Sequence, residues 1–241
     1  MSLIEHVLHW LELLKFTNVR TIIAAMNKGQ QTRQAILDRA VNLASQVGLE
    51  GISIGSLAAD AQMSKSGLIA HFGSKEQLQI ATLLRGQERF KEAVIGPALR
   101  QPRGLPRIEA LLDLWLQWLQ GSNMPGGCVM LGAATEYDDR PGPVRDTVEA
   151  GFRDLRGAIA KAVRLAIEAG HLKADTDPWQ FAFEFFAIVL ASAHDWRLHA
   201  DGRMAERAKR AFARMVADYS VDGVPSTDAA VTDVSSSKVP T

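Results

Sequence analysis

His194, Asp195 and His199 are the first residues in this sequence whose types could do chemistry, since imidazole and carboxylate groups are common zinc ligands. Five residues apart on an α-helix, the two histidines fall on different faces, so no metal site is expected from them. Gly51-Ile52-Ser53-Ile54-Gly55 has the G-x-S-x-G pattern of a hydrolase nucleophile, which needs a strand before the serine and a helix after it. No strand pattern precedes it, and Ser53 fits better as the cap of a helix. Cys128 is the sole cysteine; it has no basic neighbour in sequence and reads as a small hydrophobe rather than a redox sensor. No catalytic residue, cofactor or metal is therefore assigned, and the chain is not read as an enzyme.

A different chemistry is written in the serines and lysines between Ser53 and Lys75. Ser53 precedes an apolar-patterned segment, Ile54 to Ala61; Ser64 precedes Lys65 to His71; and Ser74 with Gln77 has the spacing of a capping box. Helix, four-residue turn, helix and capped helix is the layout that presents one short helix to a DNA major groove. The presented helix is Ser64 to His71. Its first-turn amides suit a phosphate, Lys65 and Ser66 lie where base edges are reached, and Gly67 and Ala70 keep its surface low.

These elements need a scaffold. Ile36, Ala40, Leu43, Ala44 and Val47 predict a first helix over Thr32 to Val47, stopped by Gly48. The helix opened at Ser74 is expected to run to about Val94, and the turn-rich Ala98 to Pro106 marks a boundary. Beyond it, helices are predicted around Ile108 to Leu119, Cys128 to Tyr137, Val144 to Ile167, Pro178 to about Ala200, and after the Asp201-Gly202 turn. The expected organisation is an extension over 1–27, a helix-turn-helix unit with its connecting helix over 28–96, a larger helical unit over 97–220, and a polar tail over 221–241 expected to be disordered. Translation could instead begin at Met26. The fold class is all-α, with no period-two strand and no internal repeat.

Composition bounds the partners. The 241 residues carry 27 basic and 27 acidic side chains, and 47% are hydrophobic, so a soluble core is affordable without disulfide or metal. With zero net charge, a polyanion must be met by a local arrangement. Between Lys28 and Ile80 five basic residues face four acidic ones, a net +1, so one copy would hold DNA weakly and two copies are implied. No segment reaches the roughly 18–20 apolar residues of a membrane span, and one cysteine suits a reducing compartment; the cytoplasm is expected.

The runs Ile52-Ser53-Ile54-Gly55-Ser56-Leu57-Ala58, Ala61-Gln62-Met63-Ser64-Lys65-Ser66-Gly67-Leu68 and His71-Phe72-Gly73-Ser74-Lys75-Glu76 resemble the N-terminal domain of the tetracycline-repressor (TetR) family. Gly127-Cys128 and Glu168-Ala169-Gly170-His171-Leu172 through Pro178 resemble landmarks of its C-terminal domain. Two positions depart: Gln62 stands where the family usually has glycine at positive φ, a change worth about 1 kcal/mol, and Ile69 replaces an aromatic that often touches phosphate. The resemblance implies a transcriptional regulator that binds a palindromic operator as a homodimer through its last two helices, about 178–220, and is released by a small effector. Its candidate DNA contacts are Thr32, Ser53, Ser64, Lys65, Ser66, Leu68, Ile69, His71 and Lys75. Candidate effector-cavity residues are Trp115, Cys128, Met130, Tyr137, Phe152 and Phe186, with Trp118 and Phe185 beside them. The rival reading is a helical small-molecule binding module without DNA binding.

Overall fold

The computed structural model describes residues 29–121 and 124–221, and every regular element among them is a helix. The expected extension over 1–27 and all but the first residue of the polar tail lie outside the described residues. Helix α1 spans 29–47 and buries Ile36, Leu37, Ala40, Val41 and Ala44. It stops at Gly48, whose φ of +82° is the left-handed conformation that glycine adopts without penalty. Helices α2 (Ile54–Asp60) and α3 (Lys65–Phe72) follow, then α4 (Lys75–Phe90).

Serine caps set all three starts. Ser53, Ser64 and Ser74 accept the backbone N–H groups of Ser56, Gly67 and Gln77, each three residues on. The reciprocal box expected at Ser74 and Gln77 is instead found at Ser53 and Ser56, where the Ser56 hydroxyl also accepts the Ser53 N–H. A short hydroxyl serves as well as a longer amide for closing that ring. Leu57 and Ala58 of α2 and Leu68 and Phe72 of α3 are buried with the α1 stripe in one core.

The connecting helix does not stop near Val94. It passes through a π-helical turn, Lys91–Ile95, into α5 (Gly96–Leu99). Gly96 N–H reaches back to Lys91 O, and Pro97, which has no N–H to place, sits inside the following turn. Then come α6 (Leu105–Gln120), α7 (Val129–Tyr137), α8 (Pro143–Glu168), α9 (Pro178–His194) and α10 (Met204–Tyr219). Asp177 caps α9 by accepting the Trp179 N–H, with Pro178 inside the first turn. Trp115, Phe181 and Phe185 are almost completely buried, and Phe90 packs edge-on to Trp115 and Trp118 with ring centres 4.9 and 5.7 Å away.

After α9 a second π-helical turn, Asp195–His199, precedes Ala200, whose φ of +50° redirects the chain. This corrects the placement of the histidines. On a continuous α-helix residues five apart are separated by about 140° around the axis. The wider turn brings His194 and His199 onto one side, with ring centres 5.8 Å apart.

The two units are joined by a polar clamp at the C-terminal end of α7. Glu136 Oε1 accepts the Leu49 N–H at 2.9 Å and Oε2 accepts the Glu50 N–H at 2.8 Å. Beside it the Tyr137 hydroxyl donates to Glu50 Oε2 at 2.7 Å, while Gln79 of α4 donates to Tyr137 Oη at 2.8 Å and to Leu49 O at 3.0 Å. Lys75 Nζ closes the set on Glu50 Oε1 at 2.7 Å. A second contact joins Gly126 N–H to Ser45 Oγ of α1, with Arg197 donating to Pro125 O next door.

Gly48 serves both the α1 stop and the clamp, because a Cβ there would lie 2.7 Å from Glu136 Oε1. Gly48→Ala is expected to cost roughly 1–3 kcal/mol, read as a lower urea midpoint; an unchanged midpoint would contradict the double constraint. Hydrogen bonds from Lys75 and then Tyr137 pull the Glu50 carboxyl from 4.5 down to about 2. Because the folded value is depressed, this stabilisation is present above about pH 4.5 and fades as pH falls toward 2. Glu50 is exposed at its rim, so the contribution is up to about 1 kcal/mol. Glu50→Gln should remove it and flatten the acid limb of the stability–pH curve; a limb of unchanged slope would contradict the assignment.

Candidate nucleic-acid interface and ligand cavity

Helix α3 is held from below and open above. Leu68 is fully buried and Phe72 nearly so, with the Arg33 guanidinium 5.1 Å from the Phe72 ring centre. Ser64, Lys65, Ser66, Ile69 and Ala70 are exposed, and His71 is half-buried. Leu68 is therefore corrected from a DNA contact to a packing residue: it is completely buried, with Phe72 one turn on, in the core shared with α1 and α2. Ile69 is 48% exposed, an uncommon position for a large apolar side chain on an otherwise polar helix face.

The approach to α3 is fixed by the turn before it. Ala61 and Met63 N–H groups donate to Leu57 O and Ala58 O at 2.8 and 2.9 Å, and Gln62 takes φ = +56° as expected for that position. At the first turn of α3 the Ser64 Oγ lies 3.2 Å from Ser66 Oγ, so two hydroxyls point outward together. Lys65 lies across α2, its Cε 3.4 Å from where a Cβ on Gly55 would stand. Thr32 is half-buried on α1, and Ser53 is exposed at the start of α2.

Lys75 is half-buried, with two of its three N–H groups directed at Glu50 O and Oε1. Sequence reasoning missed this arrangement because Glu50 and Lys75 are far apart in the chain. It also missed Glu136 and Gln79. The one available signal was Gln79 itself, a polar residue among Leu78, Ala81 and Leu83 on the buried face of α4.

A cavity of about 200 Å³ lies between α4, α6, α7 and α8. Four of the expected residues line it: Trp115, Cys128, Met130 and Phe152. Two are corrected. Tyr137 is one end of the clamp rather than a cavity wall, and Phe186 stands behind Trp115 and Phe152, with ring centres 6.0 and 5.5 Å away, on a separate groove. Trp118 and Phe185 pack outside the wall. The π-helical turn contributes Lys91 and Ile95, and polar groups come from Gln87 and Asp154.

Close helix approach shapes this space. A Cβ on Gly86 would lie 2.6 Å from Val129 Cγ1, so α4 and α7 meet there only because residue 86 has no side chain. Burial pushes the Cys128 thiol up, which keeps it protonated and unreactive. The Trp115 indole N–H is buried without an acceptor. Such an unmet donor costs about 1–3 kcal/mol, which an incoming acceptor would recover. No helix among the described residues is long and apolar enough to cross a membrane.

The chain matches two family models: the bacterial regulatory proteins of the tetR family over residues 36–82, and the tetracyclin repressor-like C-terminal domain over residues 104–212. No curated protein matches it. Among solved structures, a TetR transcriptional regulator from Chloroflexus aurantiacus J-10-FL is 26% identical with a TM-score of 0.71, covering 79% of this chain and 95% of its own. AibR, solved with isovaleryl coenzyme A and operator DNA, is 25% identical with a TM-score of 0.60, covering 78% of this chain and 97% of its own. A transcriptional regulator from Cytophaga hutchinsonii shares the fold at 21% identity and a TM-score of 0.72, covering 80% of this chain and 97% of its own. With a helix-turn-helix domain matching one model and a helical ligand-binding domain matching the other, the chain belongs to the TetR family of transcriptional regulators.

Proposed function

We propose that this protein is a cytoplasmic, homodimeric repressor that holds a palindromic operator through α3 and releases it when a small effector occupies the α4–α6–α7–α8 cavity. The observation that carries this reading is the face of α3, where Ser64, Lys65, Ser66 and Ile69 stand clear while Leu68 and Phe72 anchor the helix. In a major groove, Lys65 and Ser66 reach base edges and Ile69 meets a thymine methyl. Ser53 and Ser64, at helix starts, suit phosphates, and Thr32 and His71 flank the same surface. Lys75 keeps one N–H for a phosphate while Glu50 fixes its direction.

Two copies are needed because one carries little excess positive charge. Trp179, Phe183 and Leu190 form an exposed stripe along α9, at 54%, 60% and 43% exposure, beside α10. A second copy of the same stripe buries it in a four-helix interface, setting the separation of the two α3 helices. The cavity walls are mostly apolar, with the Trp115 N–H and the Gln87 amide as handles. They favour a small hydrocarbon or aromatic ligand carrying one acceptor oxygen. AibR, whose fold this chain shares, has been solved with both isovaleryl coenzyme A and operator DNA, which supports the pairing of a small-molecule site with a DNA site.

An effector that wedges α7 from α4 reaches the DNA-binding unit through Glu136 and Tyr137. A coupling of about 1–3 kcal/mol changes operator affinity roughly 5- to 150-fold. Fluorescence anisotropy with the gene's own upstream DNA, at fixed salt, tests the roles. Lys75→Ala should weaken binding across sequences and lower the salt slope by about one, while Ser66→Ala and Ile69→Ala should each alter preference at one base pair by about 1–3 kcal/mol. Absence of binding to any sequence would favour a ligand-binding module without DNA recognition. Phe183→Arg should yield a monomer by light scattering and abolish operator binding; a stable dimer would contradict the α9 interface.

A further inference from the structure

We propose that His194, Asp195 and His199 form a site for a divalent transition-metal ion of the zinc class, built by the π-helical turn that follows α9. One nitrogen from each imidazole and one Asp195 carboxylate oxygen lie within 4.8 Å of one another. A regular α-helix would hold the two histidines about 140° apart around its axis; the turn Asp195–His199 instead brings their rings edge-on, with centres 5.8 Å apart. π-helical turns of this kind recur at functional sites.

Zinc bonds of about 2.0–2.2 Å in a tetrahedron need ligand atoms about 3.3 Å apart, so these side chains close by at most about 1.5 Å. His194 and His199 are exposed and can rotate to do so. The fourth position is left to water. Two imidazoles and one carboxylate select zinc, nickel or copper over magnesium and calcium, which prefer all-oxygen shells.

The ligands are only lightly engaged elsewhere: His199 acts on Asp201 through charge, and Asp195 has a loose ion pair with Arg207. Neither imidazole has a hydrogen-bond partner among the described residues, and their one ring contact is with each other. Arg207 stands 3.6 Å from Asp195 but is held more tightly by Asp201, leaving the Asp195 carboxylate for an ion. Arg197, on the same turn, donates to Pro125 O. The turn is thus tied to the loop whose Gly126 N–H donates to Ser45 of α1. An ion here staples the end of α9 at the point where the two units meet.

Calorimetric titration of zinc chloride into the full, untagged chain is the test. One ion per chain is expected, with affinity lowered more than about tenfold by His194→Ala and by His199→Ala. Cobalt in place of zinc should give the intense visible bands of four-coordination. The melting temperature should rise with zinc in the unmodified chain and not in either variant. His6 and His9 are the other closely spaced pair, so His6→Ala/His9→Ala should bind as the unmodified chain does. Circular dichroism checks folding; should His194→Ala misfold, His199→Gln at its exposed position carries the comparison. No zinc binding, binding unaffected by the changes at 194 and 199, or binding lost with His6 and His9 would each overturn the proposal.

Discussion

A carboxylate gripping two backbone N–H groups is the interaction on which the remainder of this structure depends. Glu136 stands at the end of α7, and its oxygens take the amides of Leu49 and Glu50, at the turn where α1 gives way to the DNA-binding helices. Those two donors lie just beyond the α1 stop, and the Glu136 carboxylate, rather than the last carbonyls of the helix, accepts them. The clamp therefore satisfies groups that would otherwise need water, and in doing so fixes the angle between the two units. Gln79 and Tyr137 stiffen it from the inside, and Lys75 and Glu50 from the rim. The Tyr137 hydroxyl, buried and donating to a carboxylate, is pushed well above the ordinary phenol range, so it remains a donor at every working pH.

The same short helix links cavity and reading head. Val129 and Met130 of α7 face the cavity, and Glu136 and Tyr137, two turns on, hold the DNA-binding unit. A rigid nine-residue helix cannot shift at one end without shifting at the other. Under the proposed function, an effector reaches the DNA-binding unit through this one helix and needs no long chain of side chains. Under that proposal an effector has to displace a helix, and α7 meets α4 there through the Gly86–Val129 contact and the weak Gln87 N–H to Met130 Sδ bond beside it.

Much of the DNA-binding unit was legible in the chain because its signals are local. Each serine cap lies three residues from the amide it accepts, and Gly48 and Gln62 mark backbone turns whose φ values are dictated by sterics. The resemblance of these runs to a known family added what periodicity alone could not. Leu68 is an apolar residue among the candidate DNA contacts, and its complete burial beneath α3 makes it a packing residue. Tyr137 was assigned to the cavity on its aromatic character, yet its hydroxyl required a polar partner, and Glu50 supplied one from 87 residues away. The π-helical turns were invisible for a different reason: nothing in residue type distinguishes a five-residue hydrogen-bond ring from a four-residue one. That local change of pitch is what places His194 beside His199 and what lets the connecting helix accommodate Pro97.

Hydrogen exchange at the Leu49 and Glu50 amides, measured in the unmodified chain and in Gly86→Ala, tests the central claim most directly. The added methyl group pushes against Val129 and displaces α7 as a ligand would, although alanine by itself favours helix α4. The account predicts faster exchange at these two amides and weaker operator binding, while amides inside α2 and α3 keep their protection. Exchange at Leu49 and Glu50 that stays unchanged while operator affinity falls would contradict it, because the two units would then be communicating by some route other than the α7 clamp.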